Sequence, residues 1–288
     1  MYSEGFIDFN GYKTWYSVYG DLTAGITPLV CIHGGPGYPH NHLQNLSELA
    51  KQGIPVVLYD QLGCGKSDRP DDPSLWTIEL FINELQAVRD ALGLDKINLL
   101  GHSWGGTLAA EYMFTNPTGV EKLILSSPLL DSDLWVSEAN RLMDEMPAWA
   151  ARVMRKHEAA GTTDDPEYAD AYIEFRKLFL CRAEPYPKLL RECDEAMGAQ
   201  VYATMWGPSE ACVTGTLKNW TAFDRLHSIT IPTLLLSGRY DEATPPQMDR
   251  TQAELPQAER VTFEHSAHVS NLEEPELYLQ TLADFLAT

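Results

Sequence analysis

The chain has 288 residues, 44% of them hydrophobic and 22% charged, an ordinary globular composition with apolar material for a sizeable core. Acidic residues outnumber basic ones by 41 to 21, giving a net charge of −20. That balance argues against nucleic acid and anionic membranes as partners, because their phosphates need a basic footprint, and it favours neutral or cationic ligands.

The chain starts MYSEGFIDFN, which lacks the basic and long apolar regions of a secretory signal. The runs FIDF (6–9) and KTWYSVYG (13–20), joined at Asn10-Gly11, predict an antiparallel hairpin at a sheet edge. Six further β-like runs follow: LVCIH (29–33), VVLYD (56–60), INLLG (97–101), KLILS (122–126), TLLLSG (233–238) and RVTFEH (260–265). Their apolar character is that of strands covered on both faces. Helical patterns at 42–52, 77–92, 104–116, 246–254 and 274–287 fill the gaps, and this alternation predicts a mostly parallel, helix-covered sheet of eight strands.

Between Ser127 and about Gly215 the rhythm breaks. Only helical stretches such as DLWVSEANRLMDEM and PEYADAYIEFRKLFL occur there, punctuated by Pro147, Gly161, Pro166, Pro185 and Pro187. The segment 128–215 reads as a helical cap inserted after the sixth strand, with the core formed by 1–127 and 216–288. No apolar run reaches the roughly 18 residues of a membrane span. Five cysteines (Cys31, Cys64, Cys181, Cys193, Cys212), with no CxxC pair, suit a reduced cytoplasmic protein.

The strongest chemical signal is INLLGHSWGGTLAAEYMF. Here a buried strand runs into Gly101-His102-Ser103-Trp104-Gly105 and a helix begins at once. This is a nucleophile elbow G-x-S-x-G in its strand–turn–helix context, with Ser103 as nucleophile. A serine hydroxyl needs a base and an orienting acid, which in this arrangement follow in the order Ser, Asp or Glu, His. His268, in the loop SAHVSN beyond the last strand, is the expected base; His265 still continues the strand register. SGRYDEATPP, after the seventh strand, supplies Asp241 as the acid, with Asp131 in reserve. His33 and His102 precede the acid and read as structural.

Attack by Ser103 builds negative charge on a carbonyl oxygen, which preorganised N–H donors must meet. The Trp104 N–H is one. The second is expected from HGGPG (33–37), where glycine lets the backbone approach the substrate; Gly35 is the first choice and Gly34 the second. No histidine or cysteine cluster has metal-ligand spacing and no phosphate-binding GxxxxGK[ST] occurs, so neither a metal nor another cofactor is expected.

HGGPG, GHSWGG, DQLGCGKS (60–67), MWGPSE (205–210) and GRYDEATP (238–245), in this order, resemble the proline iminopeptidases of the α/β-hydrolase superfamily, in particular the branch of the tricorn-interacting aminopeptidase. The resemblance spans nearly the whole chain, cap included. It implies an α/β-hydrolase fold and a serine aminopeptidase that removes one N-terminal residue, often proline, from short peptides. It also implies that Glu210 and Glu242 bind the free α-amine. The chain departs from the family's DQRG, carrying Asp60-Gln61-Leu62-Gly63 instead, so any role of that arginine is absent. Trp104, Trp206, Tyr172 and Phe175 could wall a proline pocket, although most of them read as cap core; Cys64 could be reachable by thiol reagents, although a lone cysteine is more often a small packing residue. The competing functions are an amino-acid amidase or esterase on the same scaffold and, in another class, a hydrolase-fold binding protein.

Overall fold

A computed structural model describes residues 1–255 and 258–287. Its strands are β1 (Tyr2–Phe9), β2 (Tyr12–Tyr19), β3 (Leu29–Ile32), β4 (Val56–Tyr59), β5 (Ile97–His102), β6 (Val120–Ser126), β7 (Thr233–Gly238) and β8 (Ala258–Phe263). They form one sheet in the order β1-β2-β4-β3-β5-β6-β7-β8. The β1–β2 and β2–β4 pairs are antiparallel and the other neighbours parallel, as expected from the sequence. Strand β1 starts four residues before FIDF, because Tyr2–Gly5 lie at the edge, largely exposed, and carry no apolar run. At the other edge β8 ends at Phe263, so Glu264 and His265 fall in an exposed turn.

The helices are α1 (Ile78–Leu92), α2 (Trp104–Phe114), α3 (Ser132–Leu142), α4 (Ala148–Ala160), α5 (Pro166–Phe175), α6 (Lys188–Ala196), α7 (Ala199–Met205), α8 (Phe223–Leu226), α9 (Pro245–Glu254), α10 (Ser270–Glu273) and α11 (Pro275–Ala287). Local chemistry sets their ends. Thr77 caps α1 by accepting the Leu80 N–H, and Gly93 at φ 65° closes it; such a cap contributes about 1 kcal/mol.

Side chains alternate across the central strands and feed two cores. Val30, Ile32, Val57, Tyr59, Leu99 and Leu235 join Phe81, Leu85 and Val88 of α1 on one face. Leu29, Cys31, Val56, Leu58, Leu100, Leu234 and Leu236 meet Tyr278, Leu282 and Phe285 of α11 on the other, along with Leu43, Leu46 and Leu49 from a 3₁₀ segment at His40–Gln52. Double coverage explains the unbroken apolar runs.

Strand order places the chemistry. The chain leaves β3 towards β4 on one side, then returns through α1 to β5 on the other, so β3 and β5 flank a topological switch point. Ligands bind outside the carboxyl ends of strands at such a point. HGGPG follows β3 and the elbow follows β5.

Helices α3 to α7 lie between β6 and β7; α3, α4 and α5 share an apolar cluster that includes Ala139, Met154, Tyr168 and Phe175, whereas Leu190 of α6 packs with Val269 and α7 gives Val201 and Met205 to the main core. At the end of α5 the coil widens into a π turn at Arg176–Leu180, a distortion often found at functional sites.

One buried carboxyl braces the loop after β4. Glu84 of α1 is fully buried and accepts from the Thr14 hydroxyl and from the Leu62 N–H at 3.0 Å. Burial pushes its pKa from 4.5 up to about 8, despite these bonds. The native state therefore holds more protons than the unfolded chain between those values, and Glu84 lowers stability as pH rises through that window. Glu84→Gln, which cannot titrate, is expected to flatten that part of the Tm–pH profile; an unchanged slope would show that Glu84 does not titrate there.

Candidate active site

The elbow is dictated by sterics. Ser103 stands at φ 56°, ψ −120°, a conformation that costs a non-glycine residue on the order of 1–3 kcal/mol and is held by its surroundings. A Cβ on Gly101 would lie 2.2 Å from the Gly105 carbonyl oxygen, and one on Gly105 would lie 2.3 Å from that of Ile32. Both glycines of G-x-S-x-G are therefore required. Trp104 opens α2, so its N–H belongs to the first-turn donors that lack an intrahelical acceptor. Gly34 lies against the nucleophile: a Cβ there would be 3.2 Å from that of Ser103.

Asp241 and His268, the expected acid and base, lie in contact. Asp241 Oδ1 is 2.8 Å from His268 Nδ1 and accepts the Ala243 N–H at 2.8 Å. Its Oδ2 accepts the Ser127 hydroxyl at 2.6 Å and the Gly238 N–H at 3.2 Å. Four donors thus fix the carboxylate, and it in turn places the His268 proton on Nδ1, leaving Nε2 free as a base. Ser127, which the sequence reading did not single out, completes this anchor. Asp131 is elsewhere: it caps α3 through the Leu134 N–H at 2.7 Å. His265 is exposed, away from the cavity.

Ser103 and His268 line one cavity of about 240 Å³, together with Gly34, Gly35, His42, His102, Glu210 and Glu242. Among the described residues no hydrogen bond joins Ser103 to His268, a looseness common before substrate tightens a site. His268 Nε2 instead stands 3.6 Å from Glu242 Oε1. Glu242 is 1% exposed and its Oε2 has no partner. Burial, then Glu210, then Asp241 hold its pKa well above the usual carboxylate range. Glu210 is less buried, accepts the Tyr202 hydroxyl at 2.6 Å and is also shifted upward by burial. A buried carboxyl oxygen with no partner, in the cavity that Ser103 lines, is left able to pair with an incoming polar group.

Of the four aromatic residues weighed as pocket walls, Tyr172 lines the cavity, with Tyr38 and Tyr202 as the further phenol rings, and the other three are core, the reading preferred for most of them. Trp104 is wholly buried beneath the floor, edge-on to Phe81, and Trp206 and Phe175 are core residues. Leu180, Met197, Pro208 and Val269 add apolar surface, and Arg176, paired with Asp194 at 2.7 Å, stands among the lining residues. Cys64 is fully buried, with burial raising its thiol pKa, so the structure gives no reactive thiol there. Folding brings Cys64 near His33 and Asp60, at distances that would suit a metal ion. Hydrogen bonds engage that trio: His33 Nε2 accepts the Gln61 N–H, and Asp60 binds His40 and the Lys66 N–H.

A family model described as the alpha/beta hydrolase fold matches residues 27–275. A proline iminopeptidase of Heyndrickxia coagulans is 44% identical over 287 residues, covering 99% of both chains. The chain belongs to the proline iminopeptidase family. Among solved structures, the family's Mycobacterium smegmatis proline iminopeptidase superposes with a TM-score of 0.91 at 36% identity, covering 99% of this chain and 98% of that one. The crystal structure of VinJ gives a TM-score of 0.95 at 37% identity with the same coverage. The α/β-hydrolase fold expected from the family resemblance is thus established, and no helix among the described residues is long and apolar enough to cross a membrane.

Proposed function

We propose that the protein is a serine aminopeptidase that releases one N-terminal residue, preferably proline, from short peptides with a free N-terminus. The observation that carries this reading is the orphaned Glu242 Oε2, buried in the cavity that holds Ser103 and His268. An α-amine is one carbon removed from the scissile carbonyl, so its receptor must lie beside the nucleophile. Glu242, 3.6 Å from the catalytic imidazole, meets that condition.

In this mechanism His268 takes the Ser103 proton as Oγ attacks the carbonyl, with Asp241 orienting the ring. The Gly35 and Trp104 N–H groups stabilise the oxyanion. The protonated His268 then donates to the leaving amine, and water repeats the sequence to free the residue. Glu242 and Glu210 hold the α-ammonium, whose burial without a partner would cost several kcal/mol. The apolar rim suits the pyrrolidine ring, and helices of 128–215 act as the cap that closes over it. Five unpaired cysteines support a reducing, cytoplasmic location.

Prolyl p-nitroanilide compared with its N-acetyl form tests this. The free amine is expected to react at least about 10³-fold faster, because the blocked substrate leaves Glu242 unpaired. Equal rates would remove the amine site and leave a general amidase or esterase.

Acidity supplies a second test. Glu242 must shed its raised-pKa proton to pair with an ammonium, so substrate binding releases a proton. KM is expected to fall as pH rises through the raised Glu242 pKa, until the substrate amine itself loses its charge. In Glu242→Gln that dependence should shrink to what Glu210, also shifted upward, contributes; if it persists in full, Glu242 does not control amine binding.

A further inference from the structure

The oxyanion reading leaves open what aims the Gly35 N–H into the cavity, since glycine on both sides of the Gly34–Gly35 peptide allows it to rotate. Three contacts supply an answer. The Gly34 carbonyl oxygen lies 3.0 Å from His33 Nδ1 and accepts the Tyr38 N–H at 3.2 Å. His33 Nε2 accepts the Gln61 N–H at 2.9 Å, so the ring proton resides on Nδ1 and donates to Gly34. The Gly34–Gly35 peptide is planar and trans, so a carbonyl held towards His33 turns the Gly35 N–H the opposite way.

The second donor is tied to the same residues. The Trp104 indole N–H donates to Gln61 Oε1 at 2.9 Å. Indole is a donor only, which fixes the amide's orientation and leaves Gln61 Nε2 to donate to the His33 carbonyl at 3.3 Å; the same nitrogen lies 3.2 Å from His33 Nδ1. Gln61 and His33 are both fully buried, and burial pushes the His33 pKa down to about 4, which keeps the ring neutral. Gly105 packs directly on the Ile32 and His33 carbonyls, so the two donor segments touch.

We propose that Gln61 and His33 are positioning residues, a buried brace that locks the loop after β3 and the start of α2 in one register and so preforms the oxyanion hole. Neither touches substrate. Without the brace only the Tyr38 N–H holds the Gly34 carbonyl, and the Gly34–Gly35 peptide can turn that carbonyl inward, placing an acceptor where a donor is needed. The proposal rests on the acyl-transfer reading of Ser103 but not on the preference for proline.

Gln61→Met keeps chain length and removes the two Gln61 side-chain bonds of the brace, to the Trp104 indole and to the His33 carbonyl, while the His33–Gly34 bond stays. Its kcat is expected to fall about 10- to 100-fold on both prolyl p-nitroanilide and p-nitrophenyl acetate, with KM unchanged, a part of the 10²–10³ that a missing donor costs. Affinity for prolinal, whose hemiacetal on Ser103 carries an oxyanion, should drop by the same factor, while affinity for free proline stays constant. A purely structural role would move prolinal and proline together, and unchanged kcat would overturn the brace outright. Should Gln61→Met not fold, Trp104→Phe breaks the brace from its other end with the ring retained, and the same split is expected. Wild-type protein active on the acetate but not on the prolyl anilide would refute the aminopeptidase reading while leaving the brace testable. Wild-type protein inert to both, and to prolinal, would end the acyl-transfer reading and the brace with it.

Discussion

Ser103→Ala is expected to lower kcat on a prolyl anilide by about 10⁶-fold while KM stays within about twofold. The hydroxyl is the only atom lost, and the walls that bind substrate are other residues: Tyr172, Tyr202, Glu210, Glu242 and the apolar rim. Stability should be nearly unchanged, because alanine keeps the Cβ and the strained φ of 56° while the glycine packing around it stays intact. Steady-state kinetics with a thermal melt separates the cases. Residual turnover above about a thousandth of wild type would mean that Ser103 is not the nucleophile.

Asp241→Asn should lower kcat by about 10⁴-fold. The carboxylate accepts four hydrogen bonds and donates none. An amide NH₂ in its place must confront either the Ser127 and Gly238 donors or the His268 and Ala243 donors. If the NH₂ faces His268, the imidazole turns to the tautomer with its proton on Nε2, which cannot take the Ser103 proton. If it faces the other pair, the Ser127 hydroxyl can turn to the His268 carbonyl at 3.2 Å, but the buried Gly238 N–H meets another donor, and an unsatisfied group of that kind costs about 1–3 kcal/mol. A loss of kcat with KM preserved, by the same assay, fits the orienting role. Full activity would reassign the acid.

Much of this site was legible because its chemistry is local. Gly101, Ser103 and Gly105 lie within five residues, and the strand before them and helix after them are readable from apolar runs. Asp241 and His268 follow from chain order, since each sits in the first loop after a strand whose place in the sheet is set by the alternation. Chain order ranked Asp241 ahead of Asp131, and geometry then accounts for Asp131 as the cap of α3.

The rest depended on how helices face one another. Tyr202 reaches the cavity from α7 and Tyr38 from the loop after β3, whereas Trp104 turns beneath the floor. One chain does not reveal which side of a short helix another element covers. Gln61 was passed over for a related reason. Attention fell on Leu62, where the family has arginine, and Leu62 proves to be a core residue held through its N–H by Glu84. Its neighbour's role arises from hydrogen bonds to His33 and Trp104, 28 and 43 residues away in sequence. Nothing in a local pattern announces such a link.

The central claim is that the reaction passes through a prolyl ester of Ser103. Rapid acid quench of the protein with prolyl p-nitrophenyl ester, followed by mass analysis of its peptides, tests it most directly. An activated ester makes acylation fast and lets the intermediate accumulate before hydrolysis. The account predicts a mass gain of one prolyl residue on the peptide containing Ser103, formed within the burst and absent from Ser103→Ala. Turnover with no adduct, or with an adduct on any other residue, would contradict it.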